Sequence, residues 1–320
     1  MNHFISVKDA NDPHALAQLA LDVKKQPFQH SGLGRNKVLG LVFFNSSLRT
    51  RMSTTRAAYN LGMQVITLNV SQDSWQLEME DGSIMNRGTA EHIREAIPVM
   101  ASYCDILAVR SFPGLKNRAL DYEDRLMKSF VEMAGIPVIN LESATLHPLQ
   151  SLTDLMTIKE FQKSKRPRVV LSWAPHVKPL PQSVANSFAQ WMMAADVDLT
   201  ITHPPGMDLS VEFTGLAPIE HNQDKAFEGA DFIYVKNWSS FSDYGHFSTM
   251  PEWMITAEKM KNTHEAKLMH CLPVRRNVVI SDDALDSLSS LVQQQAHNRL
   301  FAAQAVLQTL LDDQLTLSRR

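Results

Sequence analysis

Short apolar runs rich in β-branched residues alternate with stretches of helical spacing along almost the whole chain, and this alternation limits the fold more than any other feature. Strands are expected near 38–44, 65–70, 105–109, 137–141, 168–173, 198–202, 232–236 and 267–271. Helices are expected near 47–61, 91–103, 148–162, 183–194 and 294–313. Another is expected over 12–24, where Asp12 can cap and Pro13 occupies the first helical position. A strand–helix–strand rhythm of this kind reads as α/β with parallel sheets, each strand joined to the next by a crossover. The chain has 320 residues, enough for two domains of ordinary size, and the basic break "KSKRPR" at 163–168 separates a long helix from a new strand. The expected fold class is therefore α/β with two doubly wound parallel-sheet domains. One comprises residues 1–145 together with the C-terminal helix 294–320, and the other residues 146–293.

Composition removes several classes of function. The longest apolar runs, such as "VLGLVFF", are far too short to span a bilayer, so no membrane association is expected. The start "MNHFISVKDAND" lacks a secretory pattern, and Cys104 and Cys271 are the only cysteines, so a cytoplasmic location is expected. With 31 basic and 34 acidic residues there is no global field for nucleic acid. Any anion must be met locally.

One stretch is built to do so. In "LVFFNSSLRTRMSTTRAAYNLG", residues 41–62, a strand runs into a helix, and Arg49 and Arg51 sit among hydroxyls in the first turn. Positive side chains at a helix N-terminus oppose the macrodipole, unless a bound anion satisfies side chain and backbone N–H together. Ser47, the backbone of Leu48, Arg49 and Thr50 are thus candidates for holding a phosphate. The alternative is that Ser46 or Ser47 only caps the helix and the arginines are solvated. The strand ending "ILAVRSF" delivers Arg110, and "LESATLHPLQ" delivers His147 and Gln150 after the next strand. In an open parallel sheet, residues at such strand ends can line one crevice. "GLGRNK" lacks the third glycine of a dinucleotide loop and precedes its strand, and no Walker-type loop occurs.

The motifs "SLRTR" at 47–51, "HPLQSLTDL" at 147–155 and "HCLPVRRN" at 270–277 together resemble the aspartate/ornithine carbamoyltransferase superfamily over essentially the whole chain. The resemblance implies a carbamoyltransferase fold that binds carbamoyl phosphate and needs no metal or organic cofactor. Ser47, Leu48, Arg49 and Thr50 would hold the phosphate, with Arg110, His147 and Gln150 on the phosphate edge or the carbamoyl group, and Thr50, Arg110 and His147 would act in catalysis. Trp75 would reach a neighbouring subunit's substrate in a homotrimer.

The segment "WAPHVKPLPQSVANSF" at 173–188 is similar to the proline-rich loop of the N-acylornithine branch, and no Ser-Met-Gly motif for free ornithine is visible. That branch implies a trefoil knot in the second domain, a rare exception to unthreaded connections. It also implies acylornithine contacts from Ala90, Glu142, His176, Lys178, Lys236, Arg276 and the backbone carbonyls of Cys271 and Leu272. Lys178 departs from the arginine usual there and loses the bidentate fork. In the acetyl branch a glutamate stands just before the Glu-His pair and a lysine follows Arg-Arg-Asn by two residues; here those positions are Ala90 and Val279. A carboxylate beside a succinyl carboxylate would be repulsive, so succinyl is the expected acyl group. The expected reaction is carbamoyl transfer to the δ-amine of N2-succinyl-L-ornithine, giving N2-succinyl-L-citrulline and phosphate in arginine biosynthesis; the alternatives are N-acetylornithine as acceptor and, in a different class, a non-catalytic regulator that binds phosphate or carboxylate. Cys271 is not expected to act as a nucleophile, since His270 beside it in a strand would face the other way.

Overall fold

The run Val38–Phe43 is β1, buried on both faces from Leu39 onward, as a central parallel strand must be. The computed structural model describes residues 1–195 and 197–318. These fall into two compact units, the first made of residues 1–113, 119–149 and the C-terminal segment from Arg299, the second of residues 114–118 and 150–298.

In the first unit β1 is followed by β2 (Gln64–Asn69), the short β3 (Leu77–Glu78) and β4 (Glu91–His92), then β5 (Ile106–Arg110) and β6 (Val138–Glu142). The main sheet has the order β2-β1-β5-β6 and its strands run parallel. Chain order reverses between β1 and β5, so the switch point of the sheet lies at their carboxyl ends. There Phe43 pairs with Arg110, and Arg110 with Glu142. Side chains such as Val42, Ile97, Val109, Phe130 and Val138 form one apolar cluster of this unit. β3 and β4 pair only over two residues and leave the 79–90 loop largely exposed.

The second unit holds β7 (Arg168–Trp173), β8 (Asp198–Thr202), β9 (Ile219–Glu220), β10 (Phe232–Lys236) and β11 (Lys267–Met269), in the parallel order β11-β10-β7-β8-β9. Its reversal lies between β7 and β10, where Trp173 pairs with Lys236. Trp173, Trp191, Trp238 and Tyr234 are fully buried in it. The Trp173 and Trp238 indoles each find a backbone carbonyl, of Trp238 and Met207 respectively. The segment after β7 is tied to the segment after β10 by Ser239 N–H donating to the Leu180 carbonyl and Gln182 Nε2 donating to the Ser239 carbonyl.

All eight expected strands are present, and β11 ends at Met269, two residues early. His270 and Cys271 therefore lie beyond the strand, which corrects the alternation argument made for them. The helix Arg125–Met133 carries no sequence signal at its start, because it begins after Asp124 in a left-handed conformation (φ 48°) with no side-chain cap. That conformation is explained by its carboxyl group, which accepts from the Ser143 and Thr145 hydroxyls and so anchors the loop leading to His147.

The Arg49–Asn60 helix ends at Gly62, whose φ is +83° and whose absent Cβ would collide with the Ser31 carbonyl oxygen. Both constraints call for glycine. Gly62→Ala is expected to destabilise the fold by roughly 1–3 kcal/mol, read as a lower urea midpoint.

Candidate active site

The helix that follows β1 spans Arg49–Asn60, starting two residues later than expected, with Leu48 at the capping position and no side-chain cap. Neither Ser46 nor Ser47 caps it, so the simple capping alternative fails. No acidic residue lies in its first turn, while Arg49 and Arg51 do. The terminus thus presents uncapped N–H groups and positive side chains together, an arrangement that favours an anion.

Arg110, from the end of β5, is buried and held on several sides. Its Nη1 donates to the carbonyls of Ser46 (2.6 Å) and Asn45 (3.1 Å), while Nε and Nη2 donate to Glu142 Oε2 at 3.2 and 3.0 Å. The guanidinium also stacks over Phe112 at 4.2 Å. Glu142, expected on the acylornithine, lies against Arg110 and 3.9 Å from His147 Nε2. His147 is 3% exposed, and its Nδ1 is buried without a hydrogen-bond partner. Burial, reinforced by the charges of Arg299 and Arg110, holds the imidazole well below its ordinary range, so it is neutral at pH 7. A neutral imidazole can donate one hydrogen bond to a carbonyl oxygen without adding charge.

Arg299 escaped the sequence reading. It comes from the C-terminal helix Val292–Ser318, is buried, and its Nη2 donates to Thr50 Oγ1 at 2.6 Å. Nearby, Asn60 Nδ2 donates to Gln304 Oε1 and Gln304 Nε2 to the Pro27 carbonyl, securing the same helix. An arginine in the apolar run "NRLFAAQAVL" was the only signal. Ser47, Leu48, Arg49, Thr50, Arg110, His147 and Arg299 belong to the first unit, and Gln150 belongs to the second. Trp75 is 58% exposed, with its indole donating to Glu91 Oε2 at 2.8 Å. Ala90 lies on the exposed loop before β4, and the helix expected from 91 starts at Ile93.

In the second unit His176 follows β7 and Lys236 ends β10, beside the reversal of that sheet. His176 Nδ1 sits 3.0 Å from the Lys178 carbonyl, and Arg275 Nε donates to His176 Nε2 at 3.3 Å. Burial lowers the His176 pKa; the Lys178 carbonyl opposes this, while Lys236, Arg275 and Lys178 lower it further. Three cations, Lys236, Arg275 and Lys178, thus cluster around this imidazole. Arg276 is not among them. Its guanidinium is clasped by Asp286 and Asp282 at 2.7–2.8 Å on an exposed face, so the structure brings Arg275, not Arg276, to His176. Two adjacent arginines gave the sequence no means of choosing. Lys178 is exposed, and Lys236 is buried with Nζ on the Asn237 carbonyl. Cys271 is buried and Leu272 takes a left-handed φ of 55°, a conformation branched residues adopt only where the surroundings impose it. His270 Nδ1 accepts from the Leu272 N–H, which leaves that nitrogen committed away from Cys271. Among the described residues no cluster of His, Cys, Asp and Glu is placed to hold a metal, and no helix is long and apolar enough to cross a membrane.

An uncapped helix terminus, buried arginines and a neutral histidine at a sheet's switch point suit the class of protein that binds an anion beside a hydrogen-bond donor for a carbonyl. The chain matches the aspartate/ornithine carbamoyltransferase carbamoyl-P binding domain over residues 2–160 and the corresponding Asp/Orn binding domain over residues 181–310. It belongs to the aspartate/ornithine carbamoyltransferase family. It is 49% identical to the N-succinylornithine carbamoyltransferase of Bacteroides thetaiotaomicron, across 98% of this chain and 99% of that protein. Identity to the N-acetylornithine carbamoyltransferase of Xanthomonas axonopodis pv. citri is 33%, across 97% and 96%. A crystal structure of a Glu→Ala variant of N-acetyl-L-ornithine transcarbamylase with carbamyl phosphate and N-succinyl-L-norvaline superposes with a TM-score of 0.89 at 32% identity, covering 97% of this chain and all of that one.

The neutral state of His147 links stability to pH. Its folded pKa lies below the ordinary 6.5, so beneath 6.5 the unfolded chain binds a proton that the folded one does not. Stability held above that value is lost as pH falls towards the folded pKa. Between pH 8 and 5.5 the parent protein should lose about 1 kcal/mol more than His147→Asn, measured by urea unfolding at each pH. Equal losses would place the proton on another group.

Proposed function

We propose that this protein transfers the carbamoyl group from carbamoyl phosphate to the δ-amine of N2-succinyl-L-ornithine, giving N2-succinyl-L-citrulline and phosphate. The reading is carried by the 49% identity with a succinylornithine enzyme across nearly the full length of both chains, against 33% with an acetylornithine enzyme. Ala90 supports the same choice. It stands immediately before Glu91-His92, where a glutamate would repel a succinyl carboxylate. The solved Glu→Ala variant of the acetyl enzyme that holds N-succinyl-L-norvaline is in keeping with it.

Chemistry follows from the groups described. Ser47, Arg49, Thr50 and the N–H groups after Leu48 hold the phosphate, with Arg299 holding the Thr50 hydroxyl in place. Arg110, His147 and Thr50 stabilise the carbonyl oxygen as it gains charge. The neutral δ-amine forms the new N–C bond, the C–O bond to phosphate breaks, and the departing phosphate takes the amine's proton. Gln150 meets the carbamoyl amide, and the carbonyls of Cys271 and Leu272 receive the attacking amine's N–H groups. Lys178, Lys236 and Arg275 supply positive charge for the two carboxylates that distinguish succinylornithine from its acetyl counterpart, which has one. Trp75 acts across a subunit boundary in a homotrimer, and the 173–188 loop takes the knotted path of the acylornithine branch. Both belong to the same reading.

Product formation with succinylornithine, acetylornithine and ornithine, compared as kcat/KM, tests the reading. Succinylornithine is expected to lead by at least about tenfold, and Ala90→Glu to erase most of that lead. Activity led by acetylornithine would overturn the acceptor assignment, and no activity with any of the three would overturn carbamoyl transfer itself. Arg275→Gln is expected to raise KM for succinylornithine by about tenfold or more, while Arg276→Gln leaves it nearly unchanged.

A further inference from the structure

Beneath the second unit's reversal lies a buried polar network centred on a residue with no role so far. Asp154 is fully buried in the Pro148–Phe161 helix, one turn after Gln150. Its Oδ1 accepts from Gln150 Nε2 and from Gln295 Nε2, each at 2.7 Å. Gln295 Oε1 in turn accepts from the His270 N–H at 2.9 Å, and His270 Nδ1 from the Leu272 N–H at 2.8 Å. The fully buried Tyr234 phenol faces both Asp154 and Cys271, and burial with those two neighbours pushes its pKa well up, so it stays protonated. One carboxyl group thereby touches the side chain of Gln150 directly and the Cys271–Leu272 segment through two partners.

The chemistry of that carboxyl oxygen determines an orientation. A carboxyl oxygen that receives two side-chain amides must be met by their NH2 ends, because a carbonyl end would set acceptor against acceptor. Gln150 is therefore held with Nε2 turned to Asp154 and Oε1 turned away from it. A carbamoyl group has a donating NH2 and an accepting oxygen of nearly the same size. A binding site tells them apart only by placing a donor on one side and an acceptor on the other.

We propose that Asp154 is a positioning residue that locks the polarity of Gln150, so that its Oε1 accepts from the carbamoyl NH2, and that holds the Cys271–Leu272 segment at its height through Gln295. The inference rests on the carbamoyl-transfer reading above for its kinetic part. A flipped Gln150 would present a donor to a donor and turn the carbamoyl carbonyl from the groups that polarise it. Buried networks of this kind act as one unit, so the effect is on orientation more than on affinity for the phosphate end.

Two measurements test it. In unfolding experiments, Gln150→Glu should be destabilised at least about fivefold in its equilibrium constant, since two carboxyl groups then meet, and Asp154→Asn should restore most of that loss by supplying an amide donor. This cycle needs no turnover, so it judges the Gln150 orientation even if the protein carbamoylates none of the three acceptors. In kinetics, Asp154→Ala should lower kcat about 10- to 100-fold while inhibition by inorganic phosphate stays within about twofold. Asp154→Asn alone, which keeps an accepting oxygen, should retain most of the activity. A Gln150→Glu variant as stable as the parent, a loss that Asp154→Asn does not repair, or a kcat loss matched by lost phosphate inhibition would each overturn the proposal. Should Asp154→Ala fail to fold, the cycle and the Asp154→Asn kinetics decide.

Discussion

Positive charge gathered at the carboxyl end of the first sheet is the constraint around which the first unit is arranged. Arg49 and Arg51 occupy a helix terminus that already carries positive partial charge, and Arg110 and Arg299 are buried beside His147. Such a cluster costs stability unless an opposing charge is near. Glu142 supplies part of it, gripping Arg110 through two nitrogens from the adjacent strand. The carbonyls of Asn45 and Ser46 supply more. The register that pairs Phe43 with Arg110 and Arg110 with Glu142 is thus also the device that compensates the charge. In the proposed function the remainder meets the substrate's phosphate, whose affinity would then draw on electrostatic cost already present in the fold.

The same field explains why histidine can serve there at all. An imidazole among arginines and out of water does not keep a proton at neutral pH. A neutral imidazole there can act on a carbonyl as an uncharged hydrogen-bond donor. In the second unit His176 is kept neutral by the same combination of burial and neighbouring cations, Lys236, Arg275 and Lys178. Each unit pairs one neutral imidazole with several fixed positive charges, as suits a reaction whose substrates carry phosphate and carboxylates.

Strand positions and the charged turn after β1 were legible because the first are written in local periodicity and the second in one compact motif. The apolar runs that became β1, β5, β6, β7 and β10 are continuous, since parallel strands covered on both faces need no polar alternation. What was not legible depends on long-range packing. Arg299 lies 249 residues from the Thr50 hydroxyl it holds. The choice between Arg275 and Arg276 is made by Asp282 and Asp286, which attract one of two neighbours and leave the other for His176. Asp154 had no distinguishing neighbour in sequence beyond Gln150 one helical turn earlier, and its second partner, Gln295, comes 141 residues later.

In the proposed reaction the amine must attack in its neutral form. The δ-amine of an ornithine derivative is an ammonium ion in water at neutral pH, with a pKa near that of lysine, about 10.4. Fixed cations such as Arg110 and Arg299 near the amine would disfavour its protonated form, while the bound phosphate dianion would offset that effect. As the C–O bond breaks, the leaving phosphate gains negative charge and becomes the strongest acceptor nearby for the proton the new N–C bond releases. Glu142 is engaged by Arg110, so in the proposed reaction the proton goes to the departing phosphate.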